Sequence, residues 1–240
     1  MIEKKGNILI ASLGESPGVV TSAVDALGRE GVAISKVITI STQNTKTCSK
    51  SKGKVSPEED GYVQVLIDEF ENYQKYKGID YIFDCIGSSD IENKSECEDF
   101  LHLATNYIKQ YQQEDYDVYI CVAGGRKSMS ALLTIAAQFF GAKAIFHIAI
   151  TKHGERKNIE CNGNSLKLLN GREKDLILHP ESAETVPLPF CDLSSFTKQE
   201  LSLVENAEGK GLLDNLIEFC KGIQTKFDRD IPQSDPTKLE

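Results

Sequence analysis

The fold is decided by residues 117–129, which read DVYICVAGGRKSM. The first six of them, Asp117–Val122, are the short apolar run of a buried strand. Two glycines follow, and a helical pattern of apolar residues then extends from about Arg126 to Phe140. A buried strand joined by a short loop to a helix is the repeating unit of a parallel α/β sheet, so this stretch predicts that fold class.

The same alternation of strand and helix runs through the first 150 residues. The predicted strands are Asn7–Ser12, Val37–Ser41, Tyr81–Ile86, Asp117–Val122 and Ala144–Ile150. The predicted helices span about 17–29, 57–78, 95–112 and 126–140, the second with an N-terminal cap at Ser56-Pro57-Glu58-Glu59. Because crossovers between parallel strands are almost always right-handed, we expect a Rossmann-like, mainly parallel sheet with helices on both faces.

The pattern changes in the last third of the chain. Residues 151–189 are rich in turn signals and predict a short antiparallel extension of the sheet, in which 175–178 forms a strand. Two helical stretches follow over about 197–227. We therefore expect one domain over 1–190 and a short helical C-terminal extension with a frayed end over 191–240.

The composition excludes several classes of partner. With 27 basic and 36 acidic residues the chain has a formal charge of −9, so its overall field repels a long nucleic acid. No apolar stretch reaches the about 20 residues needed to span a bilayer, and the opening MIEKKGNILIASLG lacks the pattern of a signal peptide. We expect neither a membrane nor a long nucleic acid as partner, and any polyanion must be held by a local site.

The spacing of cysteine and histidine argues against a metal centre. The seven cysteines include no C-x-x-C pair, and the four histidines offer no ligand spacing. An odd number of such thiols suits a reduced, cytoplasmic setting. The sequence therefore predicts no metal and no cofactor.

The loop after the fourth strand carries the strongest chemical signal. Gly124 and Gly125 let the backbone turn sharply and approach a ligand closely. The helix N-terminus that follows favours an anion. Arg126 adds a guanidinium that can donate two parallel hydrogen bonds to a phosphate, and Lys127 adds a positive charge. The alternative is a tight turn with two solvated cations. The P-loop pattern is absent, because Arg126 stands where that motif needs a glycine.

The loop after the first strand is the second candidate. Residues 12–18 are rich in hydroxyls and glycine, and they too end at a helix N-terminus. They do not read G-x-G-x-x-G, which argues against binding of NAD or FAD. Ser16 is either a ligand-binding hydroxyl or only the cap of the helix.

A lysine-rich stretch follows the second strand. Residues 42–55 contain Lys46, Lys50, Lys52 and Lys54 and no acidic residue. A mobile cationic flap over an anionic ligand is one interpretation, and a disordered solvated loop is the other.

Two of these motifs together resemble a known family. Ser16-Pro17-Gly18-Val19-Val20-Thr21 after the first strand and Gly124-Gly125-Arg126-Lys127-Ser128-Met129 after the fourth are similar to motifs of the CARF (CRISPR-associated Rossmann fold) proteins of type III CRISPR systems. The similarity covers roughly residues 5–190, including Val-Pro-Leu-Pro-Phe at 186–190. It implies a homodimer that binds a cyclic oligoadenylate across its two-fold axis. Some members, the ring nucleases, also cleave that ring without metal.

Many CARF proteins also carry a helical HEPN ribonuclease domain with an Arg-x4–6-His motif. Arg172 and His179 fit that spacing, but they flank the strand predicted at 175–178, and only about 50 residues follow Pro189. We therefore expect no such effector, which leaves sensing of the ring or its destruction.

The expected reaction is attack of a ribose 2′-hydroxyl on the adjacent phosphodiester of cyclic tetra-adenylate, the favoured ring. The predicted catalytic residues are Ser16, Lys127 and Arg126. The predicted ligand-binding residues are Ser12, Leu13, Gly14, Glu15, Pro17, Ser41, Thr42, Gln43, Gly87, Ser88, Gly124, Gly125, Ser128 and Met129. A sensor that binds the ring without cleaving it and acts on a partner protein is the alternative, and a nucleotide-binding Rossmann-like enzyme outside CRISPR is a third.

Overall fold

A computed structural model of the chain describes residues 4–43, 48–51, 54–58, 61–152, 174–195, 211 and 213–221. The strands are β1 (Gly6–Ser12), β2 (Ile34–Thr42), β3 (Cys48–Ser51), β4 (Lys54–Pro57), β5 (Asp80–Ile86), β6 (Tyr116–Cys121), β7 (Ala144–Ile150) and β8 (Ala183–Pro187). The helices are α1 (Gly18–Arg29), α2 (Tyr62–Asn72), α3 (Lys94–Gln113), α4 (Lys127–Phe140), α5 (Lys174–Leu178) and α6 (213–221), with a 3-10 turn at Gln74–Tyr76.

Six strands form one mainly parallel sheet in the order β5-β2-β1-β6-β7-β8. The first five are parallel to one another, and β8 is antiparallel to β7. Both the Rossmann-like sheet and its antiparallel extension are therefore confirmed, and each of the five predicted strands coincides with one of these elements, except that Val122 lies one residue beyond the end of β6.

The apolar side chains of the sheet divide into two cores, one on each face. On one face α3 and α4 cover Ile8, Ile10 and Ile120, which are all fully buried. On the other face α1 and α2 cover Leu9 and Ala11, the alternate residues of β1. Since successive side chains of a strand point to opposite faces, a continuous apolar run such as that of β1 requires helices on both sides.

Helix α6 joins the first of these cores. Leu216 is 3% exposed among side chains of α3 and α4, and the ring of Phe219 meets that of Phe139 edge to face, with centroids 5.7 Å apart. The helix lies within the stretch predicted to be helical. The rest of that stretch and the frayed end fall outside the described residues, and the division of the chain at residue 190 stays a prediction.

The predicted start of the second helix is wrong. Pro57 lies in β4, paired with Cys48, and α2 begins only after Gly61, whose backbone is extended. Proline is tolerated in the edge strand of a short hairpin because no ladder hydrogen bond is lost there. The Ser-Pro-Glu-Glu pattern therefore imitates a cap, and the helix ends at Asn72 rather than Gly78.

The interpretation of 42–55 as a disordered loop is also wrong for its described part, whereas its role as a cationic flap stays a prediction. β2 continues to Thr42, and β3 and β4 form an antiparallel hairpin that lies against β5. The side chain of Lys54 is exposed. Lys46 and Lys52 lie outside the described residues, as does the side chain of Lys50.

Residues 175–178 belong to helix α5 and do not form the predicted strand. Ile177 and Leu178 are buried in a small cluster with Tyr62 and Val65 of α2. The hydroxyl of Thr21 donates to the Leu178 carbonyl and so ties the helix to α1. Arg172 falls outside the described residues, so the Arg–His pair considered above is not described.

His179, directly after α5, joins three elements. Its Nδ1 lies 2.9 Å from Asp25 Oδ2 of α1, and its Nε2 lies 3.1 Å from Glu69 Oε1 of α2. Lys174 Nζ lies 2.7 Å from the other oxygen of Glu69. Burial lowers the pKa of His179, but the hydrogen bonds with the two carboxylates outweigh burial and raise the pKa from 6.5 to about 9. The imidazolium therefore fixes α5 against α1 and α2.

We expect this clamp to make stability depend on pH. A histidine whose pKa is raised on folding stabilises the native state fully below its unfolded pKa, near 6.5, and loses that contribution as the pH rises through about 9. The melting temperature of wild type should therefore exceed that of His179→Asn by less at pH 9.5 than at pH 6. His147→Asn, at an exposed position of β7, is the control and should show no such change. A gap between wild type and His179→Asn that is constant with pH would contradict this role.

Candidate functional site

The carboxyl ends of β1 and β6 mark the place where the chain changes direction in the sheet. These strands are neighbours, yet α1 follows β1 onto one face and α4 follows β6 onto the other. The two helices therefore diverge from this point, and open α/β sheets bind ligands there, in the crevice outside the carboxyl ends of the strands. Both motifs singled out in the sequence lie at this point.

The two loops are in direct backbone contact. A Cβ on Gly14 would lie 2.9 Å from the Cα of Gly125, and a Cβ on Gly124 would overlap the carbonyl oxygen of Ser12. The hydroxyl of Ser12 is fully buried and donates to the Gly124 carbonyl at 2.6 Å. Gly125 has φ +76°, a conformation that other residues rarely adopt. Glycine is therefore needed here for close approach and for the turn.

Helix α4 presents its N-terminus to this crevice. Its cap residue, Arg126, has an extended backbone, and its N–H lies 3.3 Å from the sulfur of Met129. Ser130 donates to the Val122 carbonyl at 2.9 Å and so holds the loop against the helix. The N–H groups of the first helical residues have no partner within a helix, and the helix dipole makes this end attractive to an anion.

Arg126 and Lys127 are both exposed at this helix N-terminus, but they differ in their partners. Nη2 of Arg126 lies 3.0 Å from Oδ2 of Asp90. Lys127 forms no ion pair with any residue that the structure describes. Lys127 is therefore available to bind an anionic ligand.

Asp90 reaches the crevice from a distant strand. It follows β5, which is separated from β6 by β2 and β1, a distance of roughly 14 Å at about 4.8 Å per strand. The loop 87–93 spans this distance because α3, which it precedes, packs beside α4. The N–H of Gln43 donates to the Ser88 carbonyl at 2.8 Å, which ties this loop to the end of β2.

The predicted site residues fall into three groups. Glu15, Gly87, Gly125, Arg126 and Lys127 are exposed; Gly14, Ser16, Gln43, Ser88 and Ser128 are half-buried; and Ser12, Leu13, Pro17, Ser41, Thr42, Gly124 and Met129 are buried. The buried side chains form the floor of the loops. The exposed and half-buried residues are the ones whose side chains or backbone face solvent at this edge of the sheet.

Several hydroxyls of this edge have no hydrogen-bond partner among the described residues. One is that of the half-buried Ser88, whose Oγ atom is itself inaccessible to solvent. Another is that of the half-buried Ser16. The N-cap of α1 is Pro17, without a side-chain bond, so the interpretation of Ser16 as a cap is wrong.

Two residues of the site were missed in the sequence. Ser130 fixes the loop after β6, and its place in the first turn of α4 was the available signal. The sequence shows Asp90 only as a charged residue of a loop. Its ion pair with Arg126 could not be predicted, because the pair depends on the order of the strands in the sheet.

A second concavity, of about 650 Å³, lies at the opposite end of the sheet. Asp25, Arg29, Lys77 and His179 are among its lining residues. Asp25 and His179 are bonded to each other, and Arg29 donates to the Ala183 carbonyl. These groups serve the structure, so the crevice between β1 and β6 is the better candidate site.

In the described part of the chain, no three His, Cys, Asp or Glu side chains converge in a way that would hold a metal ion. No described helix is long and apolar enough to cross a bilayer.

We expect the contact between the loops to be intolerant of a methyl group. Gly124→Ala should destabilise the protein by about 1–3 kcal/mol, because the added Cβ overlaps the Ser12 carbonyl. The matched control is Gly28→Ala in α1, where nothing lies within 4 Å of the new Cβ and the higher helix propensity of alanine should stabilise by up to about 1 kcal/mol. Urea unfolding of both variants measures the difference, and equal stabilities would contradict the contact.

Comparison with proteins of known structure gives remote likenesses. Csm6 of Enterococcus italicus, solved bound to cyclic hexa-2′-fluoro-hexa-dAMP, is 13% identical with a TM-score of 0.46 over 84% of this chain and 47% of its own. Can2 of Sulfobacillus thermosulfidooxidans, solved with cyclic tetra-adenylate, is 13% identical with a TM-score of 0.39 over 59% and 32%. The chain thus spans less than half the length of either protein. Among curated proteins no match is found.

A family model gives a much broader match. The model described as CRISPR-associated protein NE0113 matches residues 16–221, which is most of the chain and includes the loop after β6 and the last residues of the loop after β1. The match confirms the predicted relation to CARF-domain CRISPR-associated proteins. The chain belongs to the NE0113 family of CRISPR-associated proteins.

Proposed function

We propose that the protein binds a cyclic oligoadenylate in the crevice between β1 and β6 and cleaves it without metal. The observation that carries this proposal is Lys127, the first residue of the 14-residue helix α4, which forms no ion pair with a described residue and lies close to the contact between Gly14 and Gly125. Such an arrangement offers backbone N–H groups, a helix dipole and a cation to one phosphate.

The charge of the chain favours a compact ligand over a long one. At −9 the protein repels an extended polyanion, whereas a small ring needs only a few local donors. The CARF resemblance implies a ring of adenylates and a homodimer, in which the two-fold axis would double the donors. We favour four adenylates on these family grounds.

The proposed reaction needs no group beyond the ring itself as nucleophile. The 2′-oxygen of one ribose attacks the adjacent phosphorus, the bond from phosphorus to the 5′-oxygen breaks, and the proton of the 2′-hydroxyl ends on the 5′-oxygen through solvent. The products are linear, with 2′,3′-cyclic phosphate and 5′-hydroxyl ends. The protein's task is to align the 2′-oxygen with the leaving oxygen, and such positioning supplies several kcal/mol.

Lys127 and the helix N–H groups stabilise the charge that grows on the phosphate. By analogy with an oxyanion hole, each donor contributes about 2–4 kcal/mol. Arg126 would add its fork of N–H groups to the same phosphate. The backbone of Gly14, Gly125 and Ser128 surrounds this position.

Ser16 is the proposed partner of the 2′-hydroxyl. Its own hydroxyl is half-buried and has no partner among the described residues, and it precedes α1 across the crevice from α4. Gln43, Gly87 and Ser88 would line the remaining side of the ring. The three loops contain no histidine, so we expect slow turnover that depends on alignment rather than on a strong base.

The decisive experiment uses the purified protein with cyclic tetra- and hexa-adenylate in the presence of EDTA. We expect linear products with 2′,3′-cyclic phosphate ends, separated by chromatography. Strict dependence on a metal ion would overturn the mechanism. Ring that is retained but intact would identify a sensor, and the absence of both binding and cleavage would refute the proposed ligand.

Replacement of Lys127 tests the role of the helix N-terminus. Lys127→Ala should lower the single-turnover cleavage rate by about 30- to 1000-fold, the equivalent of 2–4 kcal/mol. Lys77→Ala is the matched control, because it removes an exposed lysine at the opposite end of the sheet and changes the net charge equally. Equal rates for Lys127→Ala and wild type would remove Lys127 from the mechanism.

Ser16→Ala tests the alignment of the nucleophile. We expect the variant to lose cleavage rate while its affinity for the ring changes little, because the hydroxyl acts on the orientation of one ribose. Ser35→Ala, which removes a hydroxyl bound to the Asn7 carbonyl at the start of β2, is the control. Single-turnover rates and equilibrium binding should be measured together. An unchanged rate in Ser16→Ala would leave Ser16 without a part in the reaction.

A further inference from the structure

Of the two cations at the crevice, Arg126 forms an ion pair with Asp90, whereas Lys127 does not. Nη2 of Arg126 contacts Asp90 Oδ2 at 3.0 Å, while Lys127 has no ionic partner among the described residues. An arginine that binds phosphate commonly uses two parallel N–H groups. In the observed geometry one of its donors is already engaged by a carboxylate.

The two partners of this pair differ in their freedom to move. The side chain of Asp90 is 25% exposed, and its other oxygen, Oδ1, accepts the N–H of Ile91 at 2.8 Å. The side chain of Arg126 is 63% exposed and no other contact holds its guanidinium to a described residue. The carboxylate is therefore the fixed partner, and the guanidinium is the one that can turn toward a ligand.

We propose that Asp90 is a competing counter-ion, which holds Arg126 in the absence of ligand and is displaced by a phosphate of the bound ring. This inference rests on the function proposed above and adds a residue that sets the affinity of that site. When the guanidinium turns to the phosphate, the carboxylate of Asp90 is left close to the incoming negative charge. Asp90 thus opposes binding twice, through the pair that is broken and through repulsion.

The size of the effect follows from the exposure of the pair. An exposed ion pair contributes little to stability, and two like charges near the surface repel each other weakly in water. Together these effects predict that loss of the Asp90 charge tightens binding of the ring by about 3- to 10-fold. Glu15 and Glu92, the exposed carboxylates of these loops, have no ionic contact with Arg126 and would not substitute for Asp90.

The test compares Asp90, in the loop after β5, with Asp80, the first residue of β5. Asp90→Asn removes the charge but keeps an oxygen for the Ile91 N–H. Asp80→Asn is the matched control, because Asp80 pairs with Lys36 at 3.1 Å at the start of β5 and its replacement changes the net charge equally. Asp90→Glu keeps the charge and should gain nothing.

Affinity is best measured by calorimetry with the cyclic tetramer of 2′-deoxyadenylate, which lacks the nucleophile and stays intact. We expect Asp90→Asn to bind about 3- to 10-fold more tightly than wild type, and Asp80→Asn and Asp90→Glu to stay within about twofold. In an Arg126→Ala background, Asp90→Asn should lose most of its gain, because the pair no longer exists.

Each other outcome counts against the inference in a distinct way. Equal or weaker binding by Asp90→Asn, with wild type still binding, would refute the role of Asp90 and leave the proposed function standing. An equal gain in the Arg126→Ala background would show repulsion alone, without competition for the arginine. Failure of wild type to bind the tetramer or the hexamer would refute the proposed function and this inference together. If Asp90→Asn unfolds, Asp90→Ser is measured in its place under the same criteria.

Discussion

The rest of the site depends on the contact between the loops that follow β1 and β6. Gly14 and Gly125 bring the two backbones together without side chains between them, and Ser12 ties the first loop to the carbonyl of Gly124. Neighbouring parallel strands fix the starting points of these loops, and this contact fixes their ends relative to each other. The spacing between Ser16 and the N-terminus of α4 is therefore set by backbone, which moves less than exposed side chains.

A second set of contacts holds the helix on the other side of the crevice. α1 begins next to the first loop, and α5 packs along it with a carbonyl of Ile177 against Gly18. The imidazolium of His179 then joins Asp25 of α1 to Glu69 of α2. Burying a charge is costly unless it is paired. Here the imidazolium is paired with both carboxylates, and Glu69 is also paired with Lys174. The position of α1 is thus fixed far from the crevice as well as at it.

The parts of the structure that were predictable are those determined by local patterns. Apolar runs located the strands, and the rule that ligands bind at strand ends selected the loops that meet where the chain leaves β1 and β6. Residues 175–178 were misassigned because a run of four residues fits both periods, and the packing of Ile177 and Leu178 on α2 decided in favour of a helix. Pro57 imitated a helix start, although its pairing with Cys48 belongs to a hairpin. The contact of Asp90 with Arg126 was not predictable, because it requires the strand order and the path of a loop across two other strands.

The charges at the crevice also refine the argument from net charge. A chain at −9 that binds an anion must concentrate its positive charge, yet the exposed cations Arg126 and Lys127 are accompanied by Glu15, Asp90 and Glu92 in the other two loops. The three loops therefore have no excess of formal positive charge. A weakly bound anion such as a single phosphate gains little from such a site, because Asp90 already occupies the arginine. A ring that presents several phosphates at once can engage the helix N-terminus and Lys127 first and then compete for Arg126, so the carboxylate favours ligands that are both multiply charged and compact.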